Sequence, residues 1–155
     1  MATDPKRLQI INRIVTVLGA IAAGANYHYT PRQVAKGFVS EPRGFPVYEV
    51  VTGPGGDIRD HSDFQAEETF TVSVLGTVQD AQDVATKLER ALKDVRRAIS
   101  RDLRPEAGAG SLRTLADWAG FDGQADVNYD FDGKGFFAAF SQRIKFTLSG
   151  ELGEI

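Results

Sequence analysis

Ala125-Asp126-Val127-Asn128-Tyr129-Asp130-Phe131, followed by Asp132-Gly133-Lys134-Gly135 and then by Phe136-Phe137-Ala138-Ala139-Phe140-Ser141-Gln142-Arg143-Ile144-Lys145-Phe146-Thr147-Leu148, is the stretch that decides the fold. Apolar and polar residues alternate, break at a turn of aspartate, glycine and lysine, and alternate again. Period-two alternation on either side of such a turn predicts a β-hairpin. On the second arm Phe136, Ala138, Phe140, Ile144, Phe146 and Leu148 share one face, and Arg143, Lys145 and Thr147 share the other. The apolar face needs a cover.

Two amphipathic helices supply it. Asp4-Pro5 is a favourable helix start, with the carboxylate as cap and proline at the first helical position. Steps of about 100° per residue then gather Leu8, Ile10, Ile11, Ile14, Val15, Val17, Leu18 and Ile21 on one side, with the helix ending near Gly24. Asp80 is positioned to cap a second helix, in which Val84, Leu88, Ala91, Leu92, Val95 and Ile99 form a core-facing stripe that ends near Arg101.

Between the helices lie short β-like runs at 26–30, 33–40 and 46–52, punctuated by Pro31, Pro42 and Pro46. Proline lacks the N–H that a central strand donates, so these positions belong at starts, edges or turns. Glu68 to Leu75 alternates strictly and predicts another strand. Gly53 to Ala66 is rich in glycine and aspartate and reads as a long exposed loop that becomes ordered only against a partner. A second glycine-rich connection runs from 105 to 123, with one or two helical turns expected around 111–118. The order is a helix, several strands, a helix and a hairpin, without βαβ alternation or internal repeat. It predicts one α+β domain over residues 1–155, a mostly antiparallel sheet with two amphipathic helices packed on one face and a C-terminal β-hairpin.

Composition narrows the function. At 155 residues the chain can bury a core without staples. A net charge of -3 disfavours general attraction to nucleic acid, and the lack of cysteine excludes disulfides and thiolate metal sites. The apolar N-terminal run is broken by Asn12, Arg13 and Thr16, so a signal peptide or membrane span is not expected.

The motifs that carry chemistry are weak. Gly53-Pro54-Gly55-Gly56-Asp57 lacks the Gly-Lys-Ser/Thr ending of a phosphate loop. Asn128, Asp130, Asp132 and Gly133 match the opening of a calcium loop, yet Ala139 stands where the bidentate glutamate belongs, and the flanks alternate as strands. His28 and His61 show no metal-pair spacing, and Trp118 reads equally as an interface anchor or a core plug. No catalytic residue, cofactor site or metal site is expected.

Charge is segregated instead. From Lys87 to Arg104 there are seven basic and three acidic residues, whereas from Asp117 to Asp132 there are five aspartates and no basic residue. Compensation of the helix dipole accounts for Arg96, Arg97 and Arg101 in one reading. In the other, the basic surface of one copy meets the acidic surface of the next, a head-to-tail contact that closes into a ring where the rotation permits.

The layout resembles a family, the tail terminator (tail completion) proteins of long-tailed bacteriophages. The resemblance is carried by the opening helix Arg7-Leu8-Gln9-Ile10-Ile11-Asn12-Arg13-Ile14, by Tyr29-Thr30-Pro31 and Phe45-Pro46-Val47-Tyr48-Glu49-Val50, by Phe70-Thr71-Val72-Ser73-Val74-Leu75-Gly76, and by the helix from Ala85 to Val95. It implies a hexameric ring of identical subunits in the virion, assembled in the host cytoplasm. Such a ring sits at the head-proximal end of the tail tube, ends tube polymerisation, offers its other face to the head-side connector and leaves a pore through which DNA passes without specific binding. Under this reading the candidate contacts with a neighbour or the tube are Arg96, Arg97, Arg101, Asp57, Arg59, Asp60, Phe64, Trp118, Asp130 and Asp132. The rivals are a neck, connector or tube protein of the same virion, and a small cytoplasmic enzyme or ligand-binding domain.

Overall fold

A computed structural model describes residues 2–60, 65–132 and 135–151. In chain order the elements are α1 (Lys6–Gly19), β1 (Gln33–Lys36), β2 (Val47–Asp60), β3 (Gln65–Asp80), α2 (Val84–Asp102), a 3-10 turn (Pro105–Ala107), α3 (Leu112–Leu115), β4 (Trp118–Phe121), β5 (Asp126–Asp132) and β6 (Gly135–Glu151). The architecture is α+β, mostly antiparallel, with the C-terminal hairpin formed by β5 and β6.

The sheet has six strands in the order β1-β2-β3-β6-β4, and β5 shares with β4 the same edge of β6. β5 runs beside residues 135–141 of β6 and β4 beside residues 144–147. Among the described residues only the β1–β2 pair is parallel. Phe70 stands opposite Phe146, Val72 opposite Ile144 and Val78 opposite Ala138, so the apolar sides of β3 and β6 form one continuous surface. α1 and α2 both lie on that surface, with Ile10, Ile14, Leu18, Leu88, Val95 and Ile99 fully buried against it. Each such aliphatic side chain contributes roughly 1.5–3 kcal/mol relative to leaving it in water. At the centre the Phe140 ring lies directly over Gly76, where any Cβ would collide with it.

Two buried carboxylates tie the helices to their surroundings. Asp102, near the end of α2, accepts from Arg13 Nε at 2.9 Å and from Arg13 Nη2, and also from the Leu112 backbone N–H at 2.8 Å. One carboxylate thus joins α1, α2 and α3. Asp94 is 1% exposed and accepts the backbone N–H groups of His28 and Tyr29 at 2.9–3.0 Å. The 26–30 run, expected to be a strand, is therefore irregular, because its amides are drawn to a side chain and not to a neighbouring strand.

Other boundaries move for equally local reasons. Asp4 does not cap α1; Pro5 occupies the N-cap position with no side-chain bond, and the helix stops at Gly19, short of Gly24. Asp83, not Asp80, caps α2 by accepting from the Thr86 N–H, while Asp80 accepts from Gln82 and Asp83 in the turn that leaves β3. β1 ends at Lys36 because Gly37, at φ +90°, turns the chain away.

The larger correction concerns residues 53–66, which do not form one long loop. β2 runs through to Asp60, and the ladder to β3, interrupted after Thr52–Val72, resumes at Gly56–Phe70. Gly53, Pro54 and Gly55 are thus a bulge in one strand, inserting extra residues opposite β3. Residues 61–64 lie outside the described residues. The 105–123 connection likewise holds the 3-10 turn, α3 and β4, so Trp118 belongs to a strand.

Candidate subunit interface

β6 is wider than its cover. α2 packs over β3 and β6, and β5 lies beyond it at the sheet edge. Pairing places Val127 opposite Phe140, Tyr129 opposite Ala138 and Phe131 opposite Phe136, so these three share the helix side of the sheet. They remain exposed there, at 42%, 54% and 63%, together with Phe136 at 46%. Phe131 and Phe136 pack on each other with ring centroids 4.9 Å apart. Four exposed apolar side chains in a row are more than scattered surface residues.

On the same side a groove of about 930 Å³ runs along α2, between His28 and Tyr129. Arg90, Lys93 and Arg97 line it at i, i+3 and i+7, one stripe of the helix, and all three are exposed. Glu89 is the acidic residue in this lining. Arg96 lies deeper, its Nε donating to Gln142 Oε1 at 2.9 Å. Gln142 occupies an otherwise apolar position of β6 and is fully buried; its Nε2 donates to the carbonyls of Gly123 and Arg143.

The opposite side of β5 carries a different chemistry. Asp126 pairs with Ser141 and Asp130 with Phe137, placing both aspartates, with Asn128, on the sheet face that carries no helix. Asp126 and Asp130 are exposed. Among the described residues the ion pairs are Arg7–Glu68 and Arg13–Asp102. Neither involves the α2 stripe or the β5 aspartates; among the described residues neither set forms an ion pair, although the Asp83 carboxyl, held below the ordinary range mainly by its hydrogen bonds from Thr86, lies close enough to Arg90 to be helped by it.

The remaining expected contact residues scatter. Arg97 and Arg101 both donate through Nη2 to Asn26 Oδ1, at 3.3 and 3.1 Å, and Arg101 also stands over the Tyr27 ring. These two arginines support the 24–28 segment as well as facing solvent. Trp118 is 53% exposed on β4, its ring against Gly120, which places it at the surface. Asp57, Arg59 and Asp60 lie on the far part of β2, opposite Thr69, Glu67 and Ala66, at the other end of the sheet from the groove. Asp132 ends β5 opposite Gly135. Phe64 and His61 lie outside the described residues. Asn128 and Asp130, read against a calcium loop, sit in regular strand; the Asp130 carboxylate accepts the N–H of Phe131.

Of the expected set, Arg96, Arg97, Asp130 and, by its place in the backbone, Asp132 therefore gather at or near the hairpin. Sequence reading missed Arg90, Lys93, Val127, Tyr129 and Phe131 as surface features. The alternation of β5 was legible, but its exposure depends on how far α2 reaches across the sheet. Among the described residues, no group of three or more histidine or acidic residues is arranged to hold a metal ion, and no helix is long and apolar enough to cross a membrane. Neither a family model nor a curated protein matches this chain.

Proposed function

We propose that this chain is a structural virion protein of the tail-terminator kind: copies of it form a ring, taken as a hexamer, at the head-proximal end of a phage tail tube. The ring ends tube polymerisation, presents its other face to the head-side connector and leaves a pore for DNA. No catalysis is assigned to it. The observation that carries this reading is the pair of charged surfaces that form no ion pair among the described residues, basic along α2 and acidic on the far side of β5. Complementary surfaces that a chain cannot use on itself favour association with further copies. The resemblance of layout supplies the tail as the place where such a ring acts.

A second reading draws on the groove itself. At about 930 Å³ and lined by three exposed cationic side chains, it has the size and charge to admit a small anionic ligand.

The test is tube growth. The cognate tube protein is polymerised with and without this chain, and tube lengths and ends are measured by negative-stain microscopy. Tubes that stop growing and carry a ring at one end support the proposal. Tubes of unchanged length with bare ends overturn it.

A further inference from the structure

We infer that the groove between α2 and β5 is the seat for the acidic face of the β5–β6 hairpin of a second copy, docked front to back. This rests on the ring reading and names the contact within it.

The two surfaces share one strand and point in opposite directions. Tyr129 reaches the groove on the helix side, whereas Asp126 and Asp130 leave β5 on the other side. A chain therefore cannot place its own aspartates against its own Arg90, Lys93 and Arg97. Two copies meeting groove to groove would oppose like charges, which is unfavourable. The same face also carries the exposed Arg143 and Lys145 of β6, so it is the β5 part of the face that is acidic; a copy that sets that part over its neighbour's helix face pairs the opposite charges and leaves its own groove open for the next copy. Such a contact is heterologous, and repetition gives a ring or a filament.

Apolar surface matches as well as charge. Beside the groove, Val127, Phe131 and Phe136 are exposed. On the docking face, Phe137 and Ala139 are half-buried neighbours of Asp130 and Asn128. A front-to-back contact buries these together, so apolar contact supplies affinity and the charges set orientation. The small-anion reading makes no use of the β5 aspartates, and that separates the two.

The experiment is a charge swap read by assembly. One variant carries Arg90→Glu and Lys93→Glu, a second carries Asp126→Lys and Asp130→Lys, and each is assayed alone and mixed with the other by light scattering after gel filtration and by decoration of tube ends. All four positions are exposed, and unchanged thermal unfolding of each variant confirms the fold. Each variant alone is expected to assemble about tenfold more weakly or worse, a factor equivalent to about 1.4 kcal/mol. A chain carrying all four reversals is expected to recover assembly, because the pairs are restored with opposite sign. If both double variants assemble as the parent does, the groove is not the seat, although the ring stands. If weakened assembly is not recovered in the fourfold variant, the pairing of these two faces is overturned. If the parent itself neither assembles nor decorates tube ends, the ring reading fails, which is a distinct result.

Discussion

Asp102 shows how one side chain sets a condition on the whole fold. Burial alone would raise its pKa, but the hydrogen bond from Arg13, the Leu112 N–H and the Arg13 charge together outweigh this, and the carboxyl is held below its ordinary range. The ionised form is the one the fold favours. Its contribution is complete above the unfolded carboxylate pKa of about 3.9 and is lost as pH falls through the lower folded value. Arg13→Gln removes the countercharge and leaves a carboxylate that is 7% exposed with one backbone donor. We expect a loss of about 1–3 kcal/mol at pH 7, and a smaller one at a pH below the unfolded carboxylate value of about 3.9, because protonated Asp102 no longer needs Arg13. Urea unfolding at the two pH values measures this; a deficit that is constant across pH would contradict it. Tyr48 is the opposite kind of residue. Its buried hydroxyl has no hydrogen-bond partner among the described residues, and burial pushes its pKa up.

At the scale of elements, α2 carries both the core and the groove, and its two faces can be separated by mutation. Leu92 is 4% exposed, so Leu92→Ala is expected to cost about 2–5 kcal/mol by leaving a cavity beneath the helix. Thermal unfolding followed by circular dichroism reads this directly, and a loss under about 1 kcal/mol would show that the site is not core. The elements with a long, regular period were legible in the sequence: α1, α2, the centre of β3 and both arms of the hairpin. The bulge at Gly53–Gly55 hid the far half of β2, because extra residues opposite β3 erase the period-two pattern that identifies a strand. β4 has four residues, too few to display any period. The 26–30 run has strand-like composition, but Asp94 takes its amides, a tertiary effect invisible to local pattern. For the candidate interface, the segregation of charge along the chain was legible, while the sidedness of β5 relative to α2 required the sheet order.

For the whole molecule, the proposed ring is built from a subunit whose α2 stripe and β5 aspartates, at one edge of its sheet, form no ion pair among the described residues. Exposed pairs contribute only about 0.2–1 kcal/mol each and are screened by salt, so the apolar row along the hairpin has to provide most of the binding. Assembly driven this way need not be complete in dilute solution and is helped by a template that holds subunits together. The most direct measurement is therefore the mass of the particle, by light scattering after gel filtration of the chain alone, followed by microscopy of the chain mixed with tail tubes. The account predicts a closed species near six times the 16.9 kDa subunit, in solution or as a ring on tube ends. A 16.9 kDa monomer in solution together with bare tube ends would contradict it.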